Sequence, residues 1–221
     1  TLGYEEAPAG VKAERYKSDL LIFVNGERHV VADALPSMTL LEWLRSIGLT
    51  GTKLGCGEGG CGACTVMLST FDAAAGSVQH RAVHGCLMPV CAAQWTAVTT
   101  VGGIGSTRRG LHPVQQRMTE MHGSQCGFCT PGIVVAMYSL LRAKPDAPVA
   151  PLDEHMDGNL CRRTGYRPNL DAAQSLRHGA EPSPGGGVPP AHSAALPEHH
   201  PGACRTRGRG AAPATRPAAA G

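Results

Sequence analysis

The chain has 221 residues, 42% of them hydrophobic, which is enough for one or two small globular domains and too little for a large multidomain enzyme. Its net charge is +3, residues 19–178 carry 13 basic against 12 acidic side chains, and aromatic residues make up only 4%. That balance excludes the basic face and the stacking platform of a nucleic-acid binder. The longest largely apolar run, 133–141, is too short to span a bilayer, and the N-terminus lacks a signal-peptide core, so no membrane association and a cytoplasmic location are expected. The first residue is Thr1 rather than Met, as expected of a fragment or a processed product.

Residues 1–18 have no periodicity and read as a loose leader. Residues 19–24 and 27–31 read as strands, joined by Asn25-Gly26, the pair that suits a type I′ turn. Thr39 and Glu42 have capping-box spacing, Leu40, Leu41, Leu44 and Ile47 recur at helical intervals, and Gly48 supplies the stop. A Gly- and Cys-rich loop, 51–64, is followed by strands at 65–68, 78–83 and 97–101. Two strands, a helix and further strands make a compact α+β unit over 19–101.

After Gly102-Gly103 the pattern turns helical. Helices are expected over 112–121 with Pro113 in the first turn, and from Pro131 with Val134, Val135, Tyr138 and Leu141 on the apolar side. A short third helix is expected at 152–156 and a fourth from Pro168 to Leu176, so that 102–178 forms an all-α domain. Residues 179–221 hold 8 Gly, 8 Pro and 11 Ala in 43 positions, too little apolar surface to offset ordering, and are expected to be a disordered tail. Their Arg-Gly stretch, 205–210, has no aromatic neighbour and reads as solvated rather than as an RNA contact.

Of nine cysteines, eight lie between Cys56 and Cys161. Without a secretory signal the expected compartment is reducing, where clustered cysteines bind metal more often than they form disulfides. Cys56, Cys61 and Cys64 have C-x4-C-x2-C spacing, and Cys86 follows at a distance, the plant-type [2Fe–2S] pattern. Four thiolates hold two irons, and a loop that wraps a cluster with backbone N–H donors must largely lack side chains, which suits the five glycines from Gly55 to Gly62. The bland readings are disulfides or a zinc site, but zinc favours paired C-x2-C knuckles and only Cys61 and Cys64 form one. Cys126 and Cys129 directly precede a helix N-terminus whose dipole favours an anionic group, and Cys161 lies in a tight stretch between helices. Three cysteines by themselves are ambiguous between a metal site and buried thiols.

Over residues 19–177 the chain resembles the iron–sulfur region of xanthine dehydrogenases, in the molybdenum hydroxylase family that also includes aldehyde oxidases. The resemblance rests on residues 51–64, on Gly105-Ser106-Thr107, on Leu111-His112-Pro113-Val114-Gln115, on residues 123–132 and on Gly158-Asn159-Leu160-Cys161. It implies a ferredoxin-like β-grasp [2Fe–2S] domain followed by a four-helix [2Fe–2S]-binding domain. In that family, electrons from hydroxylation at molybdenum pass through the helical-domain cluster and then the ferredoxin-like cluster to FAD. By position, Cys56, Cys61, Cys64 and Cys86 hold the flavin-side cluster, Cys126, Cys129 and Cys161 belong to the molybdenum-side cluster, and Gln125 resembles a residue contacting the molybdopterin. The implied partners are flavin and molybdenum domains or subunits, with room for a homodimer of the complete enzyme.

The chain departs from the family at Arg163, where the Cys-x-Cys pattern requires a cysteine. A guanidinium stays protonated and has no lone pair to offer iron, so about one stable cluster per chain is expected. Cys91, in an apolar stretch, is expected to be a buried thiol, and Cys204 a free thiol of the tail. Glu58 reads as a solvated carboxylate, and Lys53, Arg108 and Arg109 as surface charges. The Gly102, Gly103 and Gly105 run is expected to lack the strand–helix setting of a nucleotide-binding turn. The reading is an iron–sulfur electron-transfer module, not competent alone, with a stand-alone ferredoxin-type carrier and a zinc-stabilised structural module as rivals.

Overall fold

A computed structural model of the chain describes residues 19–32, 34–144 and 154–176. The expected leader at 1–18, the tail at 179–221 with Cys204, and Leu152 and Asp153 of the expected third helix lie outside those residues. The described part is α+β, a mixed sheet with helices packed against it.

Strands β1 (Leu20–Val24) and β2 (Glu27–Val31) pair antiparallel, with Val24 opposite Glu27. Asn25 and Gly26 between them have φ of 51° and 85°, the double positive φ that a type I′ turn requires. Helix α1 (Leu40–Ser46) begins with the expected capping box: Glu42 N–H donates to the Thr39 hydroxyl at 3.2 Å, and Thr39 N–H donates to the Glu42 carboxylate at 2.8 Å. Leu40, Leu41, Trp43 and Leu44 are buried beneath it. Ile47, expected on that same face, is instead the C-cap residue and 39% exposed, because the helix has already ended.

Strands β3 (Thr65–Asp72) and β4 (Ser77–His84) form a long hairpin, and β5 (Ala97–Thr99) inserts between β1 and β3 to give the order β2-β1-β5-β3-β4. β5 runs parallel to β1 and antiparallel to β3. Both hairpin strands outrun their apolar stretches, since Ser69 and Thr70 continue the ladder that Leu68 was expected to end. The core under the sheet consists of Ile22, Val24, Leu40, Leu44, Val66, Val90 and Val98 among others, each worth about 1.5–3 kcal/mol on burial.

The strand expected at 97–101 stops two residues early, and Val101 opens α2 (Val101–Ile104). Only Thr100 separates β5 from α2, Gly102 and Gly103 lie inside the helical turn and Gly105 is its C-cap, so no glycine loop stands between strand and helix as a nucleotide-binding turn requires. That helix is a single turn, and a Cβ on Gly103 would strike the Asn25 carboxamide, so the glycine there serves packing. Helices α3 (Pro113–Glu120), α4 (Thr130–Ala143) and α5 (Arg167–Gln174) follow. α4 was expected to bury one side, yet every residue from Gly132 to Leu141 is buried. Its surroundings explain this: the same cluster joins Ile133, Val134 and Met137 to Val114 and Met118 of α3, Ala172 and Ala173 of α5, and Met67 of β3. Among the described residues no helix is long and apolar enough to cross a membrane.

Candidate metal centres

The loop between α1 and β3 brings the first four cysteines together. Cys56 is exposed, Cys61 partly buried, and Cys64 and Cys86 are buried, with their sulfurs 3.3 Å apart. Cys86 reaches Cys64 from the turn after β4, where Gly85 N–H donates to the Cys64 carbonyl. The Glu58 N–H donates to the Cys56 sulfur at 3.4 Å; this bond first, then that from the Cys61 thiol, brings the Cys56 thiol down to about 7. Burial pushes Cys64 up to about 11, with Cys86 and Cys61 close enough to add to it. The sulfurs thus stand as two contacting pairs, Cys56 with Cys61 and Cys64 with Cys86.

The glycines make this possible. A Cβ on Gly55 would lie 2.6 Å from the Cys61 sulfur, and Gly57, Gly59 and Gly62 sit at φ of +77°, +78° and +67°. Four thiols in two pairs, wrapped by a loop whose N–H groups reach sulfur, fit a [2Fe–2S] cluster. Among the described residues no three or more His, Cys, Asp or Glu side chains converge as they would around one metal ion.

The second set is less complete. Cys129 is the N-cap of α4 and partly buried, Cys126 is exposed, and Cys161 is buried. Burial chiefly, and then the Cys161 thiol, push Cys129 up to about 11. For Cys161 burial pulls upward too, but hydrogen bonds from the Thr164 hydroxyl and N–H, the Cys129 thiol and the Arg163 N–H outweigh it and bring the thiol down to about 7. The Thr164 hydroxyl lies 2.9 Å from the Cys161 sulfur, and Cys161 N–H donates to the Tyr166 hydroxyl at 2.8 Å. Arg163 is exposed and its backbone N–H donates to the Cys161 sulfur; with arginine at that position the set has three thiols, one short of a four-thiolate cluster. Gln125 is exposed beside Cys126.

The two sets abut. Leu160 N–H donates to the Cys61 carbonyl at 2.9 Å, and the Asn159 carboxamide donates to the Gly62 carbonyl at 2.9 Å. Phe128 packs over Gly55, 3.6 Å from where a Cβ would stand. Sequence reasoning assigned no role to Asn159, Thr65 or Thr164, although Asn159 and its motif were in view.

The remaining candidates fall out more simply. Cys91, expected to be buried, is exposed: it lies in the 3-10 turn Val90–Ala93, whose inward positions are taken by Val90 and Ala93. Glu58 and Arg108 are exposed, while Lys53 Nζ donates to the Thr50 carbonyl at 2.8 Å and Arg109 to the Gly102 carbonyl at 2.9 Å.

Two family models match the chain: the 2Fe-2S iron-sulfur cluster binding domain over residues 22–92, and the [2Fe-2S] binding domain over residues 100–174. Xanthine dehydrogenase of Oryza sativa subsp. japonica is 52% identical over 161 residues, covering 72% of this chain and 12% of the relative. Xanthine dehydrogenase/oxidase of Mus musculus is 55% identical over 159 residues, again 72% of this chain and 12% of the relative. Among solved structures, a chain of quinoline 2-oxidoreductase from Pseudomonas putida 86 matches with TM-score 0.60 and 34% identity, covering 70% of this chain and 89% of that one. The aldehyde oxidoreductase from Desulfovibrio gigas matches with TM-score 0.62 and 33% identity, covering 70% of this chain and 16% of that one. The chain thus spans 12% of the length of the curated relatives it matches.

Proposed function

Because the chain belongs to the molybdenum hydroxylases, the family of xanthine dehydrogenase and aldehyde oxidase, through their iron–sulfur region, we propose that it is an electron-transfer module working between molybdenum and flavin. The observation that carries the reading is the complete first set: Cys56, Cys61, Cys64 and Cys86 in two contacting pairs under a glycine loop. A [2Fe–2S] cluster held there supplies one-electron carriage at a potential set by its surroundings. The chain's residues bind it through sulfur, direct N–H groups such as that of Glu58 at the thiolates, and bury Cys64 and Cys86 away from water.

In this reading residues 19–101 are a ferredoxin-type β-grasp domain on the flavin side. Residues 102–178 are a four-helix domain on the molybdenum side, with Gln125 directed to the molybdopterin. Cys126, Cys129 and Cys161 are the remnant of a second cluster site that lacks its fourth ligand at Arg163. The partners are flavin and molybdenum domains or subunits, assembled as a homodimer of the complete enzyme in the cytoplasm.

Iron and acid-labile sulfide per chain, with EPR after reduction, test the proposal. A rhombic [2Fe–2S] signal is the expected result, and zinc without labile sulfide after anaerobic reconstitution overturns it. Arg163 gives some weight to a second reading, a ferredoxin-type carrier that uses the first set alone. Pull-down with flavin and molybdenum subunits separates the two, since the carrier would not be retained.

A further inference from the structure

Asn159 sits in the second cysteine region, two residues before Cys161, but its side chain serves the first. It is 4% exposed, and its Nδ2 donates to the Gly62 carbonyl at 2.9 Å and to the Thr65 hydroxyl at 3.2 Å. The Thr65 hydroxyl donates in turn to the same carbonyl at 2.6 Å, and Thr65 N–H does so at 3.1 Å. Three donors therefore converge on one carbonyl oxygen, more than its two lone pairs ordinarily serve.

That carbonyl belongs to the residue between Cys61 and Ala63, held at φ +67°. Its surroundings leave no slack. A Cβ on Gly62 would strike the Gly158 carbonyl and the Asn159 carboxamide, and a Cβ on Gly132 would strike the Gly62 carbonyl. One residue away, Leu160 N–H holds the Cys61 carbonyl at 2.9 Å.

A trans peptide points its N–H opposite to its C=O. Tying the Gly62 carbonyl to Asn159 therefore fixes the direction of the Ala63 N–H, inside the segment that joins Cys61 to Cys64. N–H groups beside cluster ligands are among the protein's levers on reduction potential. We infer that Asn159 is a positioning residue of the first cysteine set, locking the Cys61–Cys64 segment from the helical part of the chain and thereby tuning the cluster held there. The inference rests on the proposed reading of that set. It also gives residues 158–161 a task in this chain whatever the second set holds.

The test uses the full chain, reconstituted anaerobically with iron and sulfide. Asn159→Leu keeps the side chain's size and removes its donor. The variant should take up iron as the parent does, but with shifted EPR g values and midpoint potential, and should lose iron to a chelator at least tenfold faster. Thr65→Val, which removes the bridging hydroxyl, should shift both readouts the same way by less, and it carries the test alone should Asn159→Leu fail to fold. A merely structural role would lower the melting temperature and leave g values and potential where they were; that result in a cluster-bearing parent and its folded variants overturns the inference alone. A parent that takes up no iron and sulfide overturns the proposed function and this inference with it.

Discussion

Asn25 is hydrogen-bonded to both the backbone and the side chain of Thr100, 75 residues further on: Thr100 N–H donates to its Oδ1 at 2.9 Å, and its carboxamide and the Thr100 hydroxyl meet at 3.0 and 3.3 Å. The residue that turns the first hairpin thus also caps the approach to α2, where the chain leaves the sheet for the helices. This is why Gly103 cannot carry a side chain without moving Asn25.

Replacing Gly103 with Ala should therefore destabilise the protein by about 1–3 kcal/mol, the usual cost of overpacking. In the Asn25→Gly background every Asn25 side-chain atom that the added methyl would strike is gone, so the second substitution should cost little, a coupling that a double-mutant cycle reads directly. Equal melting temperatures for the parent and Gly103→Ala would remove the basis of this account.

Cys61 is hydrogen-bonded to Cys56 in one pair and lies near enough to the other for its charge to act on Cys64. Cys61→Ser should abolish the EPR signal of the first cluster and lower the melting temperature of the sheet region, because metal binding there is coupled to folding. An undiminished signal in the variant would show that Cys61 is no ligand.

Local features of the fold were legible because local chemistry sets them. The Asn25-Gly26 turn, the Thr39–Glu42 capping box and the Gly48 stop depend on neighbours within a few residues, and each is found as read. The spacing of Cys56, Cys61, Cys64 and Cys86 singles out four cysteines that the structure holds as two contacting pairs. Long-range contacts left no such trace. Nothing in the order of residues ties Asn159 to Gly62, 97 positions earlier, and the burial of α4 on all sides depends on β3, which contributes Met67 from another part of the chain. Cys91 was misread for a related reason: an apolar stretch shows that a segment is buried, and a 3-10 turn decides which of its side chains face out.

His80 is held below the ordinary histidine range, first by burial and then by the charge of Arg142, while its Nδ1 lies 2.8 Å from the Ser69 hydroxyl. A histidine whose folded pKa is depressed favours the neutral form in the fold. Its stabilising effect is complete above the unfolded pKa of about 6.5 and is lost as pH falls through and below that value. The melting temperature should therefore drop between about pH 7 and about pH 5, and His80→Gln should reduce the slope. Some slope should remain, because burial holds His155 down in the same direction. Superimposable pH profiles for the parent and His80→Gln would count against this role.

Asn169, in the first turn of α5, is completely buried, and neither atom of its carboxamide has a hydrogen-bond partner among the described residues. A buried polar group left unpaired costs about 1–3 kcal/mol. Asn169→Leu, close in size, should raise the melting temperature by about 4–8 °C per kcal/mol recovered in a domain of this size. A lower melting temperature would mean that the amide is paired with a buried water, and that the substitution breaks the bond.

Arg163 bears most directly on the second cysteine set. Cys126, Cys129 and Cys161 supply three thiols, the Thr164 hydroxyl is already engaged with the Cys161 sulfur at 2.9 Å, and Arg163 lies exposed with no lone pair to offer. As it stands, the chain should hold about one stable [2Fe–2S] cluster. Arg163→Cys restores the missing thiolate and removes a cation, so iron and labile sulfide should rise toward twice the parent value and a second rhombic EPR signal should appear on reduction. In a complete enzyme carrying Arg163, substrate should still reduce molybdenum, while flavin reduction lags far behind it in stopped-flow traces and recovers in Arg163→Cys. Two clusters at near-full occupancy in the Arg163 protein would show that another group completes the set, and the three-thiol account would be wrong.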